Sequence, residues 1–436
     1  MKLELAEVLA ELGIAEAHDL LAHRWDESEA SYPDETPYFL QPVRISEMRQ
    51  YLDLSDGIEP HFLEAARIAR GNTALSHLAW HFNRLLFVYD EYEGPKIGQW
   101  PKLEQPLGEL SDVFYMLIAI SVVPITQATH RRLGVPEEIT RHSTGNFDGL
   151  MFAYRNRHPG KMWGVNLSVL YWLRHYVSGA LYTLGRMEYM VRPFQRPVQV
   201  YRNRDTDEVL ALALDGLRYR PDGFLASEEA VAAGEPGFTS RLVETPDTVT
   251  GCPISPAGFA LPLEVTLPLK TWRKVLSQGD PLLDVHIPAG GNMTPENCRD
   301  TMERALEFFP RYFPERPFVG FGCGSWILNP QLADIYSPTS NMILWQRELY
   351  LHPIPTSDRS GLYFIFGSGD VDLTTAPRDT SLRRAVLDHL AAGGRLISEG
   401  MFFLTEDFKH YGTQYYLSQW PLKILDSATE LDITEA

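Results

Sequence analysis

The sequence predicts an α+β chain, with a helical N-terminal domain over residues 1–176 followed by a mixed α/β domain over 177–436. Three observations predict it. Apolar residues recur at helical spacing through the first part, whereas alternating, strand-like segments begin only near position 177. Further on, a strand, a Gly-Gly turn and a capped helix start follow one another directly over 283–296.

In the first part, residues 4–12, 46–52 and 61–70 each carry helical apolar spacing. Residues 73–89 keep a broad apolar stripe through Leu75, Leu78, Ala79, Phe82, Leu85 and Leu86. Residues 110–123 are apolar nearly all round, which marks a central helix of a bundle. Segments 136–139 and 167–176 add further helical turns.

The character then changes. LYTLGRMEYM (181–190) alternates, and VQVYRNRDTDEVLALAL reads as a hairpin turning around 203–207. A polar, Gly- and Pro-bearing stretch, 221–256, reads as a long connection or insertion. An alternating strand at 261–269 and a short helix around Trp272 come next. In LLDVHIPAGGNMTPENC, residues 283–287 read as a strand and 288–293 as a turn. Thr294 then serves as N-cap, Pro295 as first helical residue and Glu296 as a favourable first-turn acid. That helix places Cys298, Met302, Ala305, Leu306 and Phe309 on one face before Pro310 stops it. PFVGFGCGSWIL, LYLHPIP and GLYFIFG read as strands, and 381–391 as a capped helix ended by Gly393.

Composition bounds the function. A formal net charge of −18 argues against a general nucleic-acid or anionic-membrane binder, since both need a basic footprint. The 3 cysteines show no metal-ligand spacing, and their usage suits a reducing compartment. The acidic, amphipathic start is unlike a secretory signal. The most apolar run, 113–125, is too short for a bilayer core of ~30 Å. A cytoplasmic protein without metal is expected.

The Gly-Gly turn and capped helix start together make an anion site, because glycines admit close backbone approach and first-turn amides point at the ligand. It is neither a Walker A loop nor a G-x-G-x-x-G fingerprint. The segments VHIPAGGNMTPENC, EFFPRYFPERPF, CGSWILNPQL, SNMILWQREL and SLRRAVLDHLAAGGRL, with HLAWHFNRLLF and LYTLGRMEYM upstream, carry a resemblance. In their order, the chain resembles the two-domain bacterial acyltransferase domain-containing proteins, which pair a helical N-acyltransferase N-terminal domain with a GNAT-like C-terminal domain. The resemblance spans roughly 77–404. It implies CoA or acyl-CoA as acyl donor, an amine-bearing small-molecule acceptor and direct acyl transfer. The cofactor cradle would be Ile287, Pro288, Ala289, Gly290, Gly291, Asn292, Met293 and Thr294, with Ser325 beside it. The usual GNAT pyrophosphate signature is absent in its standard form, and His286-x-x-x-Gly290-Gly291 replaces it loosely. A non-catalytic acyl-CoA-binding sensor or scaffold is the alternative reading of the same fold.

Acyl transfer to an amine needs a base, a held carbonyl and a proton for the leaving thiolate. His286 is the first candidate base, since imidazole titrates near neutrality; its other reading is a core histidine on a strand. Glu188, alone among apolar residues on its strand, is a second, or else a solvent-facing carboxylate. Glu264 shares that ambiguity. The resemblance gives Tyr336 the place of a proton donor. Cys323 among glycines reads as a small buried residue rather than a nucleophile. His77 and His81 lie on one helix face without the Glu of a zincin motif, and read as structural histidines.

Overall fold

The computed structural model describes residues 3–144, 146–288 and 290–421. The chain divides into two compact units, Met1–Leu184 with Pro288–Gly290, and Gly185–Ile287 with Gly291–Ala436.

The first unit is helical. Its longest helix, Thr73–Phe87, starts where Asn72 accepts a hydrogen bond from the Leu75 amide at 2.7 Å. The apolar stripe read from the sequence is buried in full. Helices Glu59–Gly71 and Ser111–Ile120 pack on it and on each other. The central apolar segment is longer than its sequence suggested. A run of successive helices over Glu104–Arg132, interrupted at Gly108 and Ser121, is long and apolar enough to cross a membrane by length and composition alone, and 67% of its most apolar stretch is buried inside the protein. Ser111–Ile120 is buried along nearly its whole surface, as the core helix of a bundle would be.

His77 and His81 are structural. His81 is fully buried between the Ser28 hydroxyl at 2.7 Å and the Leu21 carbonyl at 2.8 Å. Burial, before any other influence, pulls its pKa down to about 4. His77 pairs with Glu29 at 2.7 Å and stacks on Tyr32.

The second unit is built on a sheet whose strands lie in the order Met187–Pro193, Pro281–His286, Gly320–Ser325, Glu399–Leu404 and Tyr350–Pro353. Neighbours are antiparallel except the pair Pro281–His286 and Gly320–Ser325, which run parallel. A parallel pair needs a crossover, and here the helix Pro295–Tyr312 supplies it. A second sheet orders Phe259–Ala260, Pro253–Ser255, Val209–Ala213, Val198–Asn203 and Trp272–Leu276. It contains the hairpin expected around 203–207.

Four local readings of this unit need correction. The stretch 221–256 is not a bare connection: it holds the short helix Glu228–Ala232 and the strands Leu242–Glu244 and Thr248–Gly251. Trp272 lies in a strand, because the antiparallel pairing with Val198–Asn203 buries its indole beside Tyr201 and Trp420. Leu362–Phe366 is a helix, since burying Leu362 and Ile365 in one apolar cluster needs an i, i+3 face, and Gly367 at φ 78° ends it. The helix Pro295–Tyr312 continues through Pro310. A proline that close to the C-terminus gives up only one late-turn hydrogen bond.

Candidate active site

The site begins with strand registry. Met187–Pro193 and Pro281–His286 pair residue for residue, with Glu188 opposite His286 and Met190 opposite Asp284. Opposed residues share a face, as do alternate residues on one strand. Glu188, Asp284 and His286 therefore meet on one face of the sheet. Glu188 is buried, with 2% of its surface exposed, so its carboxylate does not face solvent as its alternative reading allowed. His286 Nε2 lies 3.1 Å from Asp284 Oδ2, and both side chains keep about a quarter of their surface exposed (28% and 24%). The two groups are in close contact but are not aligned as a hydrogen bond, so the contact brings them together without assigning the tautomer of the ring.

The opposite face is apolar and anchors the crossover helix. Tyr189 lies edge-on to Phe321, and its hydroxyl meets the Thr301 hydroxyl at 3.1 Å. The same Thr301 hydroxyl accepts from the Met187 amide. One helix thus fixes the strand that carries Glu188.

On its other side, Pro281–His286 meets Gly320–Ser325 at only two registers, Leu283 with Phe321 and Asp284 with Gly322. Beyond them the parallel pairing stops, and the two strands separate at the end that bears His286. A chain with amide groups can enter such an opening and hydrogen-bond to strand backbone, as an added strand does.

The turn after His286 has the conformation that its glycines predict. Gly290 (φ 82°) and Gly291 (φ 67°) are both left-handed. Thr294 accepts from the Asn297 amide at 3.2 Å, and Asn297 in turn donates to the Asn292 carbonyl at 3.1 Å. The amides of Gly291, Asn292, Met293, Thr294 and Glu296 have no acceptor among the described residues, and at a helix N-terminus they favour an anion. Ala289 lies outside the described residues.

Sequence reasoning missed one cation. A Cβ added to Gly291 would lie 3.2 Å from Arg186 Cδ and Nε, so this half-buried guanidinium rests against the turn. Burial pulls its pKa below the usual arginine value, while Cys298 and Glu188 hold it up. The signal was present in LGRMEYM: the tight turn at Gly185 fixes the next residue, but nothing local said that this turn meets the later one.

Other candidates fall elsewhere. Ser325 caps the turn Trp326–Leu328 by accepting from the Ile327 amide. Tyr336 packs against the cluster of Leu332, Ile343, Leu362 and Val386, makes no hydrogen bond to Glu188 or His286, and burial raises its pKa. Glu264 is exposed, 3.9 Å from Arg241. The Cys323 thiol is fully buried, and burial first, then the Asp284 charge, pushes its pKa up to about 12. It stays protonated, which disfavours a covalent acyl-cysteine route. Among the described residues, no cluster of three or more His, Cys, Asp or Glu is arranged to hold a metal ion.

The sequence model of a family described as the GNAT-like C-terminal domain matches residues 181–402. The chain belongs to this family. Its second unit is therefore a GNAT-like domain, as the ordered segments implied. The fold also matches solved acyltransferases. One, in complex with decanoyl-CoA and teicoplanin, has 20% identity and a TM-score of 0.62, the match covering 92% of this chain and 99% of that one. Another, an acyltransferase variant in complex with octanoyl-CoA, has 19% identity and a TM-score of 0.60 over the same shares. A comparison with curated proteins returned no match.

Proposed function

We propose that the protein is an acyltransferase that moves an acyl group from an acyl-CoA thioester directly to an amine. The observation that carries this reading is the opening between Pro281–His286 and Gly320–Ser325, edged by the Glu188, Asp284 and His286 face. The opening would receive the pantetheine arm, whose amides are strand-like. The turn at 290–296, with Arg186 beside it, would take the pyrophosphate. Its amides and one cation suit a phosphate ligand on a chain of formal charge −18, where long-range attraction is lacking.

The proposed chemistry follows from these positions. His286, held by Asp284, takes a proton from the acceptor ammonium. The free amine attacks the thioester carbon, the tetrahedral adduct expels the thiolate, and the proton that the attacking nitrogen gives up passes to the thiolate. Buried Glu188 lies next to His286 and stabilises positive charge on the ring as it gains the proton. The solved relatives hold octanoyl and decanoyl thioesters, so a medium-chain donor is the first choice for testing.

The test is thiol release from octanoyl-CoA, followed with and without a panel of primary amines that includes aminosugars and short peptides. The reading predicts that at least one amine accelerates release and that its octanoyl amide appears by mass spectrometry. Release that no amine changes would instead indicate hydrolysis, and no release at all would indicate a binding protein.

A further inference from the structure

The face that carries Asp284 and His286 continues across the sheet to a second polar group, which the acyl-transfer chemistry does not use. Registry places Gly324 opposite Gly400, and Gly400 opposite His352. The two adjacent glycines form a bare floor. A Cβ built on Gly324 would lie 2.6 Å from a terminal nitrogen of Arg196, and one built on Gly400 would lie 2.2 Å from His352 Cε1 and 2.7 Å from its Nε2. The guanidinium and the imidazole thus rest directly on neighbouring glycines. Ile354 contacts both positions, and Phe194 lies edge-on to the His352 ring.

Neither polar group is satisfied. Arg196 is half-buried and takes part in no hydrogen bond or ion pair with a described residue. The chain has 57 carboxylate side chains against 39 Lys and Arg, so a partly desolvated guanidinium left without one is an arrangement that a ligand would relieve. His352 is completely buried. Its Nδ1 lies 3.3 Å from the Pro353 carbonyl, a contact it can make only as donor, so Nε2 is the lone-pair nitrogen, and it has no partner. Burial pulls the His352 pKa down to about 3, and the Arg196 charge acts in the same direction, so the ring stays neutral.

The position relates this pair to the reaction. Gly322 is opposite Asp284, and Gly324 and His286 are the next residues on that face along their separate strands. Arg196 therefore stands across the opening from the base.

We propose that Arg196 and His352 form a subsite for a carboxylate of the acceptor, so that the acceptor carries a carboxylate with an adjacent N–H or O–H donor as well as its amine. The guanidinium takes the carboxylate oxygens, and His352 Nε2 accepts from the neighbouring donor. This assignment rests on the acyl-transfer reading above, which it extends to the class of acceptor.

The test uses hippurate, a carboxylate next to an N–H, and its carboxamide analogue, titrated calorimetrically into the full chain. Octanoyl-CoA is titrated into the same wild-type sample. Wild type is expected to bind hippurate at least ~10-fold more tightly than the amide. Arg196→Gln should lose that preference while unfolding within a few degrees of wild type, and Arg196→Lys should keep part of it. Equal binding of the two probes, no binding of either, or a preference that survives in Arg196→Gln would overturn the subsite. A preference without octanoyl-CoA binding would keep the carboxylate site and sink the acyl-transfer reading. Octanoyl-CoA binding without a preference would sink the subsite alone.

Discussion

Replacing His286 with alanine is expected to lower amine-dependent thiol release by ~10²- to 10⁴-fold, the usual range for removing a general base. The loss should fall on kcat more than on donor KM, because the turn at Gly291–Glu296, proposed to take the pyrophosphate, does not include the ring. The structure gives the ring an orienting carboxylate, Asp284 at 3.1 Å, and a buried carboxylate opposite it, Glu188. Asp284→Asn should therefore keep octanoyl-CoA binding and lose part of the rate, since the ring loses the negative charge beside it as it takes up a proton. Unchanged turnover in His286→Ala would transfer the basic role to Glu188. Lost octanoyl-CoA affinity would instead place His286 among the donor-binding groups.

The largest stability effect is expected far from the chemistry, at Arg202. This guanidinium is buried in the strand Val198–Asn203 and donates to Asp407 at 2.7 Å and Asp207 at 3.0 Å. Asp407 has no exposed surface, and its second protein partner is the Tyr416 hydroxyl at 2.8 Å. Arg202→Met leaves a buried carboxylate without its cation, which costs about 3–5 kcal/mol in comparable cases. Urea unfolding followed by tryptophan fluorescence should show this loss, Trp272 and Trp420 being buried in the apolar cluster beside that strand. Removing both charges with Arg202→Met and Asp407→Leu should recover much of it. A loss under about 1 kcal/mol in the single variant would mean that water reaches the pair.

Much of this architecture was legible in the residues. Helical periodicity at 73–87 and around 111–120 announced a bundle because burial there follows one stripe or the whole circumference. Thr294-Pro295-Glu296 marked the helix start because capping is a local interaction. The errors lie where tertiary contacts outweigh local pattern. Trp272 reads as a short helix until the neighbouring strand claims it, and Leu362–Phe366 reads as a strand until an apolar cluster selects its i, i+3 face.

The candidate site was legible only in part, for the same reason. His286 stood out as an imidazole just before the Gly-Gly turn, and Glu188 as one carboxylate among apolar residues. That they oppose each other is a fact of registry, which a sequence does not state. Arg186 and Arg196 were passed over because each acquires meaning only from a glycine more than a hundred residues later in the chain, Gly291 and Gly324. Asp284 was hidden by its setting in an otherwise apolar strand, where its partner lies two residues on.

The claim beneath all of this is that the separated strands and the Gly290–Gly291 turn hold a CoA thioester. The most direct measurement is calorimetric titration of octanoyl-CoA into the full chain. The account predicts saturable binding at one site per chain, in the ~1 μM to 1 mM range typical of enzyme substrates. An absence of binding by octanoyl-CoA, decanoyl-CoA and free CoA at millimolar concentration would contradict it.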